Sequence, residues 1–154
     1  MNGLDAPAIG GELSWALHHL ATAAAEMDVA IARRLTLPPG DYLALKHLVV
    51  SAEPPGPVEL GRVLGMTSGA ATGLVDRLER AGYVRRHPHR RDRRRQGVSV
   101  TPLARERLVA ELQPLVEDID DVVASLTADQ RRTVTEVLNS LAELHRQHAH
   151  RPGP

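Results

Sequence analysis

Apolar positions step along most of this chain by threes and fours. Leu13, Leu17, Leu20, Ala24, Met27, Ile31 and Leu35 recur in this way, which predicts an amphipathic helix of about six turns. Pro38-Pro-Gly40 breaks it. A second helix follows, with Tyr42, Leu43, Leu45, Leu48 and Val49 apolar, and Glu53-Pro-Pro-Gly-Pro57 ends that one. A short helix from about 58 to 64 is closed by Gly65, which stands where a C-cap is wanted. Thr67 suits the N-cap of a further helix reaching about residue 81. Its buried stripe is Ala71, Leu74, Val75 and Leu78, and Gly82 ends it.

The period then changes. Tyr83-Val84 and Val98-Ser-Val-Thr101 are short β-prone runs, and between them Pro88, many arginines and Gly97 suit a loop. This predicts a two-stranded ribbon with a basic tip. Thr101-Pro102 places an N-cap ahead of a first-turn proline. Leu108, Leu112, Leu115, Ile119, Val122 and Leu126 then define a long helix, and Val109, Val116 and Val123 widen its apolar face. Pro114 falls within this helix, so an interruption or bend is expected there. Thr127-Ala-Asp-Gln130 reads as a capping box for a last helix with Val134, Val137, Leu138, Leu141 and Leu144. Residues 145 to 154 read as a frayed tail.

Composition sharpens this helical picture. The 154 residues suit one domain, with no Phe, two Tyr and one Trp, so Leu, Val and Ala must build the core. The absence of Cys excludes disulfides and thiolate metal sites. No apolar run reaches the ~18 residues that span a bilayer, and no secretory signal is visible, so a cytoplasmic protein without membrane contact is expected.

Charge changes the picture more. Nineteen Lys+Arg balance 19 Asp+Glu overall. Between Tyr83 and Gly97, however, seven arginines (85, 86, 90, 91, 93, 94 and 95) face one acid, Asp92, a local charge of +6. The rest of the chain therefore carries −6. Such concentration is expected of a nucleic-acid contact rather than of general solubility.

A short helix, a tight turn around Gly65-Met-Thr67 and a second amphipathic helix make a helix-turn-helix candidate; the basic ribbon behind it makes a winged helix. In that arrangement the second helix enters the major groove and the wing reaches the adjacent minor groove, where inserted Arg is favoured by narrow A·T-rich sequence. Ser68, Gly69, Ala70, Thr72 and Gly73 lie off the buried stripe and are all small, which permits close approach to base edges. Arg77 and Arg80 follow where the helix should meet the backbone.

Here the chain resembles the MarR family of bacterial transcriptional regulators. Met66-Thr-Ser-Gly-Ala-Ala-Thr-Gly-Leu-Val-Asp-Arg-Leu-Glu-Arg-Ala-Gly-Tyr-Val84 is similar to the family's recognition helix. Arg91-Asp-Arg-Arg94 with Val98-Ser-Val-Thr-Pro102 is similar to its wing, and Leu126-Thr-Ala-Asp-Gln130 to the start of its last helix. The likeness runs over about residues 11 to 148. Two positions depart: His89 stands where an Asp is usual, and Pro38 replaces a capping Thr.

The resemblance implies a mainly α fold with a small β-hairpin wing. Residues 11–36 and 102–148 would form a helical dimerisation region, residues 37–101 the winged helix-turn-helix, and 1–10 and 149–154 flexible tails. The breadth of the apolar stripe on the 103–126 helix supports a homodimer independently, so a pseudo-palindromic double-stranded DNA site is expected. On this reading Thr67 caps the recognition helix; Ser68, Gly69, Ala70, Thr72 and Gly73 face bases; and Arg77 clamps phosphate. Arg90, Arg91, Arg93, Arg94 and Arg95 supply the wing, with Asp92 orienting a neighbour. The resemblance also implies a pocket for a small phenolic or aromatic effector, for which Trp15, His18, His19, Met27 and His47 are the candidates.

Other chemistries are weaker. His145, His148 and His150 read as surface histidines rather than a metal site, and no cofactor is expected. No phosphate loop, dinucleotide fingerprint, HExxH or nucleophile triad is present, and Asp118, Asp120 and Asp121 read as solvated helix charges, so no enzyme is expected. The expectation is a cytoplasmic, nucleoid-associated, ligand-responsive repressor. The alternative is an architectural DNA-binding protein without effector, which would lack sequence preference.

Overall fold

The computed structural model describes residues 11–88, 96–149 and 151. Six helices and one hairpin follow in the order α1 (Glu12–Arg34), α2 (Pro39–Val50), α3 (Pro57–Val63), α4 (Ser68–Arg80), β1 (Val84–Pro88), β2 (Gln96–Val100), α5 (Pro102–Val123) and α6 (Ala128–Ala149). Contacts divide the chain into two compact units, which meet in sequence between Glu111 and Leu112.

The first unit holds the core. Ile31 and Ala32 of α1, Tyr42, Ala44, Leu45 and Leu48 of α2, Leu60 of α3, and Ala71, Leu74, Val75 and Leu78 of α4 are buried. Val84, Val98, Ala104 and Leu108 extend this core through the hairpin into α5. Steps of three and four put the four α4 residues on one face, so the opposite face is left to solvent.

Helix ends explain the angles between elements. Gly65 (φ 66°) and Gly82 (φ 78°) adopt the left-handed conformation that closes α3 and α4. The amide of Met66 donates to Gly61 O at 2.8 Å and that of Tyr83 to Leu78 O at 2.9 Å, the bonds of a Schellman stop. The first helix stops in the same way but without a glycine. Thr36 takes φ 57°, and Leu37 N donates to Ala32 O at 2.8 Å. The chain therefore turns two residues before Pro38, the expected breaker. Pro38 itself is the N-cap of α2 and makes no side-chain cap, and Pro39 follows at the start of the helix.

The hairpin is longer than the sequence suggested. Five antiparallel pairs run from Val84↔Val100 to Pro88↔Gln96, so Arg85, Arg86, His87, Pro88 and Gly97 are strand residues rather than loop. A third segment lies alongside. The amide of Val98 donates to Pro55 O at 2.9 Å, so the 53–57 turn lies against the free edge of β2. A Cβ on Gly97 would come 2.8 Å from His87 Cε1 and 3.3 Å from Pro54 O, which only glycine avoids.

Thr101 fastens the hairpin base. Its hydroxyl donates to Gly82 O at 2.7 Å and accepts from Ala104 N at 3.2 Å, capping α5 as expected. Tyr83 is buried beside it, donating to Leu35 O at 3.3 Å and receiving Arg107 at 3.2 Å, with the guanidinium 5.7 Å from the ring centre.

Helix α5 runs through Pro114 without interruption, losing one ladder bond there, and stops at Val123, short of the expected Leu126. In the second unit, the capping box forms as read. Gln130 N donates to Thr127 Oγ1 at 3.2 Å, and Thr127 N donates to Gln130 Oε1 at 2.8 Å. No residue of α6 is buried, and Val134, Val137, Leu138 and Leu144 are exposed.

Candidate nucleic-acid interface

Helix α4 is organised around its cap and its stripe. Thr67 Oγ1 accepts from Ala70 N at 3.3 Å. Burial of Ala71, Leu74, Val75 and Leu78 turns Ser68, Gly69, Ala70 and Thr72 to solvent and leaves Gly73 half-buried. The two glycines are not demanded by packing. A Cβ on Gly69 would meet nothing within 4 Å, and one on Gly73 would meet only Arg77 Nη1, at 3.9 Å. Thr72 Oγ1 donates to Ser68 O at 2.9 Å, which leaves the hydroxyl its lone pairs for a further partner.

Two arginines turn out to be engaged inside the chain. Arg77 donates from Nε at 3.1 Å and Nη2 at 2.7 Å to the two oxygens of Asp41, in the first turn of α2. Asp41 is buried, at 2 % exposure, whereas the Arg77 side chain is about half-exposed. Arg86 of β1 bonds Asp76 at 2.5 Å and Glu79 of α4, and its amide also donates to Glu79 at 3.1 Å. That backbone bond, then the guanidinium, holds the Glu79 carboxyl below its usual range. Partial burial opposes the Arg86 charge, but the bonds to Asp76 and Glu79 outweigh it and raise its pKa.

Arg86 therefore does not add to the free positive charge of the ribbon; it ties the ribbon to the recognition-helix candidate. Of the remaining ribbon arginines, Arg85 is exposed. Arg90, Arg91, Arg93, Arg94 and Arg95, with Asp92 and His89, lie outside the described residues.

A short helix, a left-handed glycine, a capped helix with a bare small face and a hairpin fastened to it are the parts of a winged helix. The MarR family model matches residues 35–95, which take in α2, α3, α4 and β1 and end just before β2. A helix-turn-helix transcriptional regulator of Bacillus subtilis, the uncharacterized YcgE, is 35% identical over 117 residues, covering 75% of this chain and 74% of its own length. The chain belongs to the MarR family. Crystals of wild-type apo MarR from E. coli give the same fold at 25% identity and a TM-score of 0.57, over 86% of this chain and 98% of that one. A MepR variant of S. aureus bound to an oligodeoxyribonucleotide matches at 15% identity and a TM-score of 0.56, over 87% and 98% respectively. As a MarR-family transcriptional regulator the protein binds DNA and is not an enzyme.

The five effector candidates of this MarR-family chain fall into two groups. Trp15, His18 and His19 cluster on α1, with ring centres 5.7 to 6.2 Å apart. Met27 lies eight residues beyond His19, about 12 Å at the helical rise. There α1 and α2 are joined by Lys46, which reaches both oxygens of Asp28 at 2.8 and 2.7 Å. Met27 and His47 flank that ion pair in sequence. Burial, then Lys46, pushes the His47 pKa below its usual range.

Sequence reasoning missed a group nearby. Tyr42 is 1 % exposed, and its hydroxyl has no hydrogen-bond partner among the described residues. Burial, then Asp28, raises its pKa, with Arg34 opposing and Glu111 adding to the effect. Arg34 and Glu111 pair at 2.5 Å. The apolar i, i+3 spacing flagged Tyr42 only as core. At the C-terminal end, His145 Nδ1 and His148 Nδ1 lie 2.8 and 2.9 Å from carbonyls one turn back, and His150 lies outside the described residues. No helix among the described residues is long and apolar enough to cross a membrane.

Proposed function

We propose that the protein is a homodimeric, ligand-responsive repressor that binds one pseudo-palindromic operator. Residues 37–101 form the DNA-binding region, and residues 11–36 and 102–148 form the dimerisation region. The bare small face of α4 carries this reading. Ser68, Gly69, Ala70, Thr72 and Gly73 meet base edges in the major groove, and Arg77 meets the flanking phosphate. Arg90, Arg91, Arg93, Arg94 and Arg95 supply the minor-groove contact, with Asp92 orienting one of them. A dimer seated this way over a promoter excludes polymerase by occupying its site.

The exposed apolar surface supports the second copy. Val109, Val116, Ile119 and Val122 of α5 are between 47 and 76 % exposed, and α6 has no buried residue to stabilise it. In proteins most helical stability comes from packing of an apolar face, which nothing among the described residues supplies to α6. Ile119→Glu is expected to convert the dimer into monomers by light scattering and to abolish operator binding.

Selection from a random duplex pool tests the central claim. The protein is expected to recover one pseudo-palindrome with half-sites about one helical turn apart, bound ~10³-fold or more above random duplex. Its log K should fall with log salt at about −0.9 per phosphate neutralised. Arg94→Ala should weaken binding without unfolding. Equal affinity for all duplexes would make the protein architectural, and salt-independent affinity would remove the wing from the account.

The effector reading draws on Tyr42. Its buried hydroxyl has no partner among the described residues and feels the charges of Asp28, Arg34 and Glu111, so a small phenol or aromatic carboxylate that opened this part of the core would find a hydrogen-bonding group there. Benzoate and phenol are expected to raise the melting temperature and release operator, and Tyr42→Phe to abolish both effects. Melting unmoved by either probe removes Tyr42 from the effector reading.

A further inference from the structure

The geometry points to Asp41 as a positioning residue for DNA: it holds Arg77 side-on, so that the free Nη1 edge stands along the glycine face of α4, aimed for a phosphate. This rests on the recognition-helix reading above. The pair uses Nε and Nη2, leaving Nη1 without a part in it. Nη1 lies 3.9 Å from where Gly73 would carry a Cβ, on the same side of the helix as the small residues. A free arginine would scatter this edge over many rotamers. Held by a planar fork, its orientation is fixed before DNA arrives.

The burial pattern is compatible with this role, and the DNA-binding measurements below separate it from stabilisation. An acid in the first turn of α2 gains from the helix dipole even when exposed. Asp41 is instead almost wholly buried, which is costly for a carboxylate, and an apolar residue would pack the site more cheaply. The Arg77 side chain stays 51% exposed, which spares the cation most of its desolvation cost and leaves it where a phosphate can reach it. The acid is anchored in the core, and the cation is presented outward. Thirty-six residues separate the two, so the pair also fixes α2 against α4.

The test uses the full-length protein and the duplex that the wild type recovers from a random pool. Asp41→Asn is expected to lower affinity about tenfold, the scale of one hydrogen bond to a charged group. The slope of log K against log salt should lose about 0.9, one phosphate contact. Arg77→Ala should do the same, and the double variant should be no weaker than either. Should Asp41→Asn melt too low to measure, Arg77→Lys replaces it: lysine keeps the charge but cannot make the side-on pair, and is expected to bind as weakly as Arg77→Ala. Tighter binding by Asp41→Asn, losses that multiply in the double variant, or wild-type affinity for Arg77→Lys would each overturn the inference. If Arg77→Ala changes nothing while Gly69→Ala abolishes binding, the recognition helix stands and only this inference falls. If the wild type recovers no preferred duplex, the underlying reading fails instead.

Discussion

Gly69→Ala and Gly73→Ala separate what the fold needs from what DNA needs. Glycine inside a helix costs about 1 kcal/mol relative to alanine, chiefly through backbone entropy. Nothing within 4 Å opposes a methyl at Gly69, and at Gly73 the nearest atom, Arg77 Nη1, lies at ordinary van der Waals distance, 3.9 Å. The double variant should therefore gain about 2 kcal/mol. For a chain of this size that raises Tm by roughly 4–8 °C at fixed protein concentration. Affinity should move the other way. Two methyls on the face that approaches base edges push the helix outward, and a loss of at least about tenfold is expected in a fluorescence-anisotropy titration. A variant that melts higher and still binds the same duplex with wild-type affinity would refute the claim that this face meets DNA. A variant that melts lower would refute the reading of open space around both positions.

Thr36 carries a branched side chain in a left-handed conformation, so Thr36→Gly should relieve about 1 kcal/mol net and raise Tm by a few degrees; an unchanged or lower Tm counts against strain there. Arg86→Ala removes the partners of Asp76 and Glu79, and these part-exposed pairs together should cost about 1–2 kcal/mol in urea unfolding. Operator affinity should fall as well, because the hairpin loses its tie to α4, and a variant with unchanged affinity would separate hairpin placement from binding. His47 has a folded pKa below its usual 6.5, so the unfolded chain takes up its proton first. Its stabilising contribution is complete above about pH 6.5 and is lost as pH falls through the lower folded value. His47→Gln should flatten the decline in stability between pH 7.5 and 5.5, and an unaltered profile would assign that decline to other groups.

The elements that announce themselves locally were legible in the sequence. Thr67, Gly65, Gly82, Thr101 and the Thr127–Gln130 box act within four residues of their partners, and all form as read. Long-range pairs leave no such trace. Nothing near Asp41 announces a partner 36 residues away, and counting charges placed Arg86 with the free arginines although α4 holds it. The hairpin also pairs beyond its β-prone residues, out to Pro88 and Gln96, where composition alone suits a loop. The apolar period on α5 outlasts the helix itself, since Leu126 continues the stripe after Val123 ends the helical run.

The concentration of positive charge in one short segment of a neutral chain bears on how the protein finds its site. With no net charge, it feels little pull towards DNA beyond a Debye length of about 8 Å at physiological salt. Unlike a uniformly basic protein, it gains little by coating random sequence. What remains is an uneven distribution along the chain, +6 in the 83–97 segment and −6 elsewhere. Near the duplex, such unevenness is expected to favour approach with the arginines foremost. The expected consequence is a docking rate set by orientation more than by long-range attraction, visible as an association rate that falls when the 90–95 arginines are neutralised at constant net charge.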